Sequence, residues 1–384
     1  MLAIGNHLDV VIEDIAHGGM GIARSDGVVI FIPGTDIGER VQIEVTKIGS
    51  KGRFVFADII KVIESSSHRI DPPCQYAGIC GGCDFQHIRV SRQRELKKNV
   101  ILNSLQKFAG IDPTDWASLE VQALAELHYR TRMHYQSTPT GEFGLFRAKS
   151  NAVVLIDECE IASSEVACPQ DDIGVVADDF QGFVKKSMAM EITERVGKYV
   201  YHLDTHCFWQ AHREAPQRFL EIVMRLANIQ RGDSVWDLYS GVGLFTLPSS
   251  ECVGEEGSVI AVEGDKRSAR YLTANTAGIT QAHAINSDVE QWVKNTTAPV
   301  EVVILDPPRK GAGKAVMELI IERQPRVVVY VGCDPVALSR DIGIARSLGY
   351  ELKELEAVDA FPQTHHVETF ALLAQTRIDI EEKA

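Results

Sequence analysis

The sequence predicts an α/β chain. Its C-terminal part reads as a Rossmann-like, mostly parallel sheet, preceded by a small N-terminal β-barrel and a central, mostly β segment. Three observations carry this. Short β-rich runs separated by turn residues fill positions 1–64, three cysteines crowd between Cys74 and Cys83, and from about Gln217 strands alternate with helices.

In the first segment the runs Val10-Val11-Ile12, Gly27–Ile32, Val41–Val45 and Phe54–Ile59 are strand-like. His17-Gly18-Gly19, Ser25-Asp26-Gly27 and Ile48–Gly52 supply the turns. Five or so strands in this length suggest a barrel of the OB type, which binds oligonucleotides or serves as a plain structural module. The second segment, residues 65–205, holds a helix expected over Arg89–Phe108. Leu96, Val100, Ile101, Leu105 and Phe108 lie near one side of it. Arg89, Arg92, Arg94, Lys97 and Lys98 lie on the other, as a solvated face or a track for phosphates; Arg130, Arg132 and Arg147 extend the candidate track.

The third segment, residues 206–384, contains five apolar strands ending near Tyr239, Glu263, Asn286, Asp306 and Val331. Their continuity fits a parallel sheet covered on both faces. Two more strands, near Tyr350–Val358 and His366–Leu373, are joined only by a short connection. Five parallel strands closed by such a pair resemble the seven-stranded S-adenosylmethionine-dependent methyltransferase fold.

Composition narrows the function. With 39 Lys+Arg against 53 Asp+Glu the formal charge is −14, which argues against a simple basic coat for nucleic acid but leaves room for a local basic track. No signal peptide is visible and no apolar run approaches a membrane span, so a soluble cytoplasmic protein, monomeric by default, is expected. In a reducing compartment the eight cysteines are metal ligands, nucleophiles or buried thiols before they are disulfides.

The first strand of the third segment runs into Asp237-Leu-Tyr-Ser-Gly241-Val-Gly243, where glycines allow a tight turn beside a ligand. Thr246 stands where a dinucleotide fingerprint needs a small third residue, which disfavours NAD or FAD. Glu263 can accept hydrogen bonds from ribose hydroxyls, Asp288 can meet an adenine edge, and Asp306 ends the fourth strand. Each alone could instead cap a helix or sit in a solvated loop; in series they point to one nucleotide-binding crevice. Cys333 precedes Asp334-Pro335, an N-cap followed by a first-turn proline, so the helix dipole is expected to favour its thiolate. Glu368 lies in an apolar strand, where burial would raise its pKa. Cys74, Cys80 and Cys83, with Gly81-Gly82 between the last two, signal a metal or iron–sulfur site. Cys159, Cys168, Cys207 and Cys252 are all candidates for a fourth ligand.

Together these motifs resemble the RNA uracil-5 methyltransferase family over nearly the whole chain. Residues 1–64 look like its TRAM domain. Cys74-x5-Cys80-x2-Cys83 resembles its [4Fe–4S] motif, and Cys159 falls where the resemblance implies the fourth ligand. Phe208-Trp209-Gln210 is similar to a family signature whose glutamine helps bind cofactor and base, and Asp237-Leu-Tyr239 to its first cofactor motif. Asp306-Pro-Pro-Arg309 and His366-Val-Glu368 match later signatures. Gly332-Cys333-Asp334-Pro335 stands where Ser-Cys-Asn-Pro is usual, Leu244 where an Asn is frequent, and Ala211-His212-Arg213 where Val-Asn is usual.

The resemblance implies S-adenosylmethionine as methyl donor and Gln210, Tyr239, Glu263, Asp288 and Asp306 around it. It implies Cys333 as nucleophile, Glu368 as base, and an unpaired or flipped uridine of 23S rRNA or tRNA as substrate. A catalytically silent RNA-binding or assembly factor is the rival, and retention of both Cys333 and Glu368 argues against it. Methylation of adenine or cytosine is a third reading; amine methylation would not need the Cys–Glu pair.

Overall fold

Alternation of apolar and polar residues builds an N-terminal sheet. It has six strands: β1 (His7–Val11), β2 (Asp14–Ile15), β3 (Gly21–Ser25), β4 (Val28–Ile32), β5 (Arg40–Ile48) and β6 (Phe54–Glu64), in the order β1-β5-β6-β4-β3-β2. Val41, Ile43 and Val45 of β5 share one buried core with Ile30, Ile32, Val55 and Ala57. Bulges between Arg40/Val41, Gln42/Ile43 and Val45/Lys47 bend the long β5–β6 pair. The computed structural model describes residues 2–169, 173–185 and 188–376. They fall into two units, one within residues 1–100, 121–174 and 359–366, the other within 101–120, 175–358 and 367–384. Residues 65–205, read from sequence as one central segment, are thus shared between the two.

The expected helix forms as α1 (Val90–Ser104), followed by a π turn over Leu105–Ala109 that ends at Gly110 with φ 64°. Its basic side is largely committed to acids, which corrects the expectation of an open phosphate track. Arg92 pairs with Asp36 at 3.2 Å and Glu95 at 2.7 Å, and Arg94 with Glu126 at 3.0 Å. Lys97 is buried, donating to Asp359 Oδ1 at 2.5 Å and to the Phe361 carbonyl at 3.1 Å. Helical periodicity placed Lys97 on the polar side; tertiary packing folded the 359–366 segment over it.

Neither side chain of the Lys97–Asp359 pair reaches solvent. Lys97→Met should therefore cost about 3–5 kcal/mol in urea unfolding, because it leaves a buried carboxylate unpaired. Adding Asp359→Leu should recover most of that loss. Equal instability of the single and double variants would show that packing, not charge, is what Lys97 supplies.

The second unit holds a sheet with β7 (Ser234–Leu238), β8 (Ser258–Glu263), β9 (Ala282–Asn286), β10 (Val302–Leu305), β11 (Val327–Gly332), β12 (Tyr350–Asp359) and β13 (Glu368–Gln375). Within the unit they run β9-β8-β7-β10-β11-β13-β12. The first five are mutually parallel, and β13 is antiparallel to both β11 and β12. Helices α2 (Ala215–Ala227), α3 (Thr246–Val253), α4 (Lys266–Asn275), α5 (Val289–Asn295), α6 (Lys314–Glu322) and α7 (Pro335–Ser347) connect or precede these strands. Every residue of β10 and β11 is buried, as a central parallel strand requires. The last strand begins at Glu368, not His366; Gln363, at φ 69°, belongs to the turn before it.

Candidate active site at the carboxyl edge of the parallel sheet

Strand register assembles the site. Leu238 pairs with Val262 and Leu305, so Tyr239, Glu263 and Asp306 leave neighbouring strands at the same edge. Gly332 pairs with Thr369 across the antiparallel β11–β13 ladder, which brings the next residue, Cys333, beside Glu368. Sheet order thus collects residues scattered over more than a hundred positions, at the edge where open α/β sheets bind ligands.

The glycine loop after β7 is held from several sides. Tyr239, Gly241 and Gly243 adopt positive φ of 62°, 57° and 103°. Left-handed backbone is easy for glycine and costs Tyr239 about 1–2 kcal/mol, so the loop must be fixed by its surroundings. Gly241 N–H donates to Glu263 Oε2 at 2.8 Å, and Asp265 N–H to Glu263 Oε1 at 2.7 Å. Thr246 Oγ1 donates to Asp237 Oδ2 at 2.5 Å. Tyr201 donates to the Leu244 carbonyl at 3.0 Å, and its ring lies 5.3 Å from that of Trp209. That contact seats the segment containing buried Gln210. Ser240 Oγ is buried and has no hydrogen-bond partner among the described residues, an orphaned donor in the same loop.

Asp288 caps α5, its Oδ1 accepting from Gln291 N–H at 3.0 Å. One of its oxygens is therefore engaged as the capping alternative foresaw. Tyr239 lies near enough to feel it: burial first, then Asp288, Asp341 and Glu290, push the phenol up to about 12. The loop of the Asp306-Pro-Pro-Arg309 signature is clamped by a residue with no local pattern, Asp341. Asp341 accepts from Ala312 N–H at 2.8 Å and from Tyr330 at 2.7 Å, and Gly311, at φ 83°, has no room for a Cβ against that carboxylate. The Pro307-Pro308-Arg309 run was the available signal.

Acids dominate the electrostatics. Glu368 is buried, and desolvation followed by Asp306 drives its pKa well up, opposed by Arg309. Asp306, half-buried, is pushed up to about 7 by burial and by Asp237. Cys333 departs from expectation. Asp334 caps α7 as foreseen, accepting from Val336 and Ala337 N–H at 2.9 Å each. Yet the thiol is pushed up to about 12, by burial, Glu368 and Asp306, with Arg309 acting the other way. Desolvation and two acids outweigh a helix end.

Asp237 offers a stability test. Burial raises its pKa from 3.8 to about 7, so ionising it in the folded state is costly once the pH exceeds that value. Asp237→Asn should therefore stabilise the protein by about 2–4 kcal/mol near pH 8. The raised pKa favours the folded wild type at low pH, so the gap should shrink as pH falls from about 7 and vanish near 3.8. A gap independent of pH in thermal unfolding would assign the effect to hydrogen bonding instead.

In the first unit, Cys74, Cys80, Cys83 and Cys159 are electrostatic neighbours. Burial raises Cys83 to about 12, with Cys159 and Cys80 adding to it; burial also raises Cys159, with Cys80 and Cys74 contributing. Gly82 N–H points to Cys80 Sγ at 3.4 Å. Among the described residues no group of three or more such side chains is drawn together tightly enough to hold an ion. Coulombic coupling reaches further than ligation, so the two observations are compatible.

The sheet order, the glycine loop and the acidic strand ends define an S-adenosylmethionine methyltransferase fold. Residues 175–376 match the tRNA (uracil-5-)-methyltransferase family and residues 3–60 the TRAM domain, and the chain belongs to that family of RNA methyltransferases. An uncharacterized RNA methyltransferase of Streptomyces avermitilis is 32% identical, covering 96% of this chain and 98% of its own. One of Bdellovibrio bacteriovorus is 30% identical over 98% and 96%. The crystal structure of Pyrococcus abyssi tRNA (uracil-54, C5)-methyltransferase in complex with S-adenosyl-L-homocysteine shares the fold, with a TM-score of 0.70 at 20% identity, over 95% of this chain and 99% of that one.

Proposed function

We propose that this protein methylates C5 of an unpaired or flipped-out uridine in tRNA or 23S rRNA, using S-adenosylmethionine. The observation that carries the reading is the pairing of Gly332 with Thr369, which sets the Cys333 thiol beside the Glu368 carboxyl. Bound at the glycine loop, the cofactor supplies an electrophilic methyl group. Glu263 would face its ribose, Asp288 and Tyr239 its adenosine end, and Gln210 and Asp306 the side toward the target base. The orphaned Ser240 hydroxyl suits a polar ligand there.

Uracil C5 is a weak nucleophile. The Cys333 sulfur forms a bond to C6, and the electron pair moves toward O4 as an enolate, making C5 nucleophilic. After C5 is alkylated, Glu368 takes the C5 proton, the C5–C6 double bond re-forms and the sulfur leaves. A stacked base cannot be attacked at C6, which is why the substrate uridine must leave the helix. The test is transfer of a labelled methyl group from S-adenosylmethionine to RNA, with nucleoside mass spectrometry. Recovery of 5-methyluridine supports the reading; label on adenosine or cytidine, or no label, overturns it.

The donor chemistry of Cys74, Cys80, Cys83 and Cys159 suits a four-thiolate cluster, and we assign these residues to a [4Fe–4S] group. The methyl transfer consumes no electrons, so such a cluster would stabilise the loop that holds it. Protein purified without oxygen is expected to be brown and to carry about four irons per chain. Colourless protein loaded with zinc would overturn the assignment.

A further inference from the structure

The outward face of the N-terminal sheet carries side chains that the reaction does not use. Strand alternation turns Ile30, Ile32, Val55 and Ala57 into the core, so Phe31, Phe54 and Phe56 point away from it. Their rings are mutual neighbours, with centroids 5.8 Å apart for Phe31–Phe54, 5.7 Å for Phe31–Phe56 and 5.6 Å for Phe54–Phe56. All three are half-buried.

Two cations converge on one of these rings. Lys47, opposite Phe56 in the β5–β6 ladder, has Nζ 5.9 Å from its centroid, and Lys149 Nζ lies at 5.7 Å. Lys149 comes from outside the TRAM match, from the turn joining strands Phe143–Phe146 and Val153–Leu155. That hairpin is pinned to the cysteine loop. Gly81 N–H donates to the Phe146 carbonyl at 2.9 Å and Ala148 N–H to the Ile79 carbonyl at 3.3 Å. A Cβ on Gly81 would come within 3.0 Å of Ala148 Cα, so glycine is what lets the two backbones approach.

We propose that Phe31, Phe54 and Phe56, with Lys47 and Lys149, form a stacking platform for unpaired bases of a single-stranded RNA segment. Every base has a face that stacks on an aromatic ring, and two ammonium groups beside the rings can take the flanking phosphates. A duplex hides its base faces and cannot use such a surface. Glu44 and Asp58, paired one step beyond Val45 and Ala57 on the same two strands, repel phosphates and bound the platform at that end. The cysteine loop thereby acquires a binding role, because it fixes the hairpin that delivers Lys149. The proposal rests on RNA being the substrate and adds where an unpaired stretch is held.

The test measures anisotropy of a short fluorescein-labelled single-stranded RNA and of the matching duplex, on the full-length holoprotein. Phe31→Leu/Phe56→Leu, which keeps the apolar cover, should weaken single-strand binding about tenfold and leave the salt slope unchanged. Lys47→Ala/Lys149→Ala should reduce the slope of log affinity against log salt by about 1.4. Duplex affinity should stay at the wild-type value in both. Unchanged single-strand binding, or equal losses for duplex and single strand, overturns the platform. Wild-type methyl transfer reports separately on the function: no 5-methyluridine, with binding still dependent on the phenylalanines, overturns that reading and supports this one.

Discussion

Cys333→Ala should abolish methyl transfer, lowering kcat/KM by on the order of 10⁴-fold or more, because nothing else generates a nucleophilic C5. Glu368→Gln should be nearly as inactive but in a different way. Addition and alkylation precede the step that needs the carboxylate, so this variant should accumulate RNA joined to the Cys333 sulfur. On a denaturing gel with labelled S-adenosylmethionine, Glu368→Gln is expected to give a slow, labelled protein–RNA band. Combining it with Cys333→Ala should remove that band. An active Cys333→Ala enzyme, or an adduct that survives without the cysteine, would sink the scheme. Both variants should fold: Cys333 is only half-buried, and Glu368→Gln removes a carboxyl group whose ionisation burial disfavours.

Arg309→Gln should displace the pH–rate profile to higher pH. The thiol of Cys333 is pushed up to about 12, and the Arg309 guanidinium pulls both it and Glu368 down. Below its pKa the thiolate fraction rises tenfold per pH unit, so kcat/KM of the wild type should climb with pH through neutrality. Removing the cation raises both pKa values. Each unit of displacement then costs about tenfold near pH 7 and keeps that factor until the pH nears about 12, where the wild-type thiol ionises. A Cys333 thiol that titrates alike in Arg309→Gln and in the wild type would mean that Arg309 binds substrate and does not tune the pair. Asp237→Asn completes the contrast, since a buried acid beside Asp306 is costly to the fold above neutrality.

Much of the candidate site was legible in the sequence because its residues follow apolar strands. Glu263 and Asp306 stand at the ends of such runs, and Cys333 before an Asp-Pro helix start. Residue type and strand periodicity suffice to put them on one edge once the sheet is parallel. Arg309 was visible only as part of a motif, and Asp341, deep in α7, gave no signal, since a clamp on another loop leaves no local pattern. The basic side of α1 misled for the same reason. Periodicity assigns Lys97 to the polar side, while the segment 359–366, far along the chain, decides that the side is buried.

The sequence by itself determined the α/β class, the five parallel strands with their closing pair, the family, and the residue types on which the proposed chemistry rests. These depend on local pattern and on spacing. Only the tertiary structure decided which charges oppose or assist each other. It placed Glu368 and Asp306 against Cys333 and reversed the sign expected from the helix end. It buried Lys97 with Asp359, and it carried Lys149 to the phenylalanines of the N-terminal sheet. Desolvation and Coulombic coupling depend on distance through space, which separation along the chain does not encode.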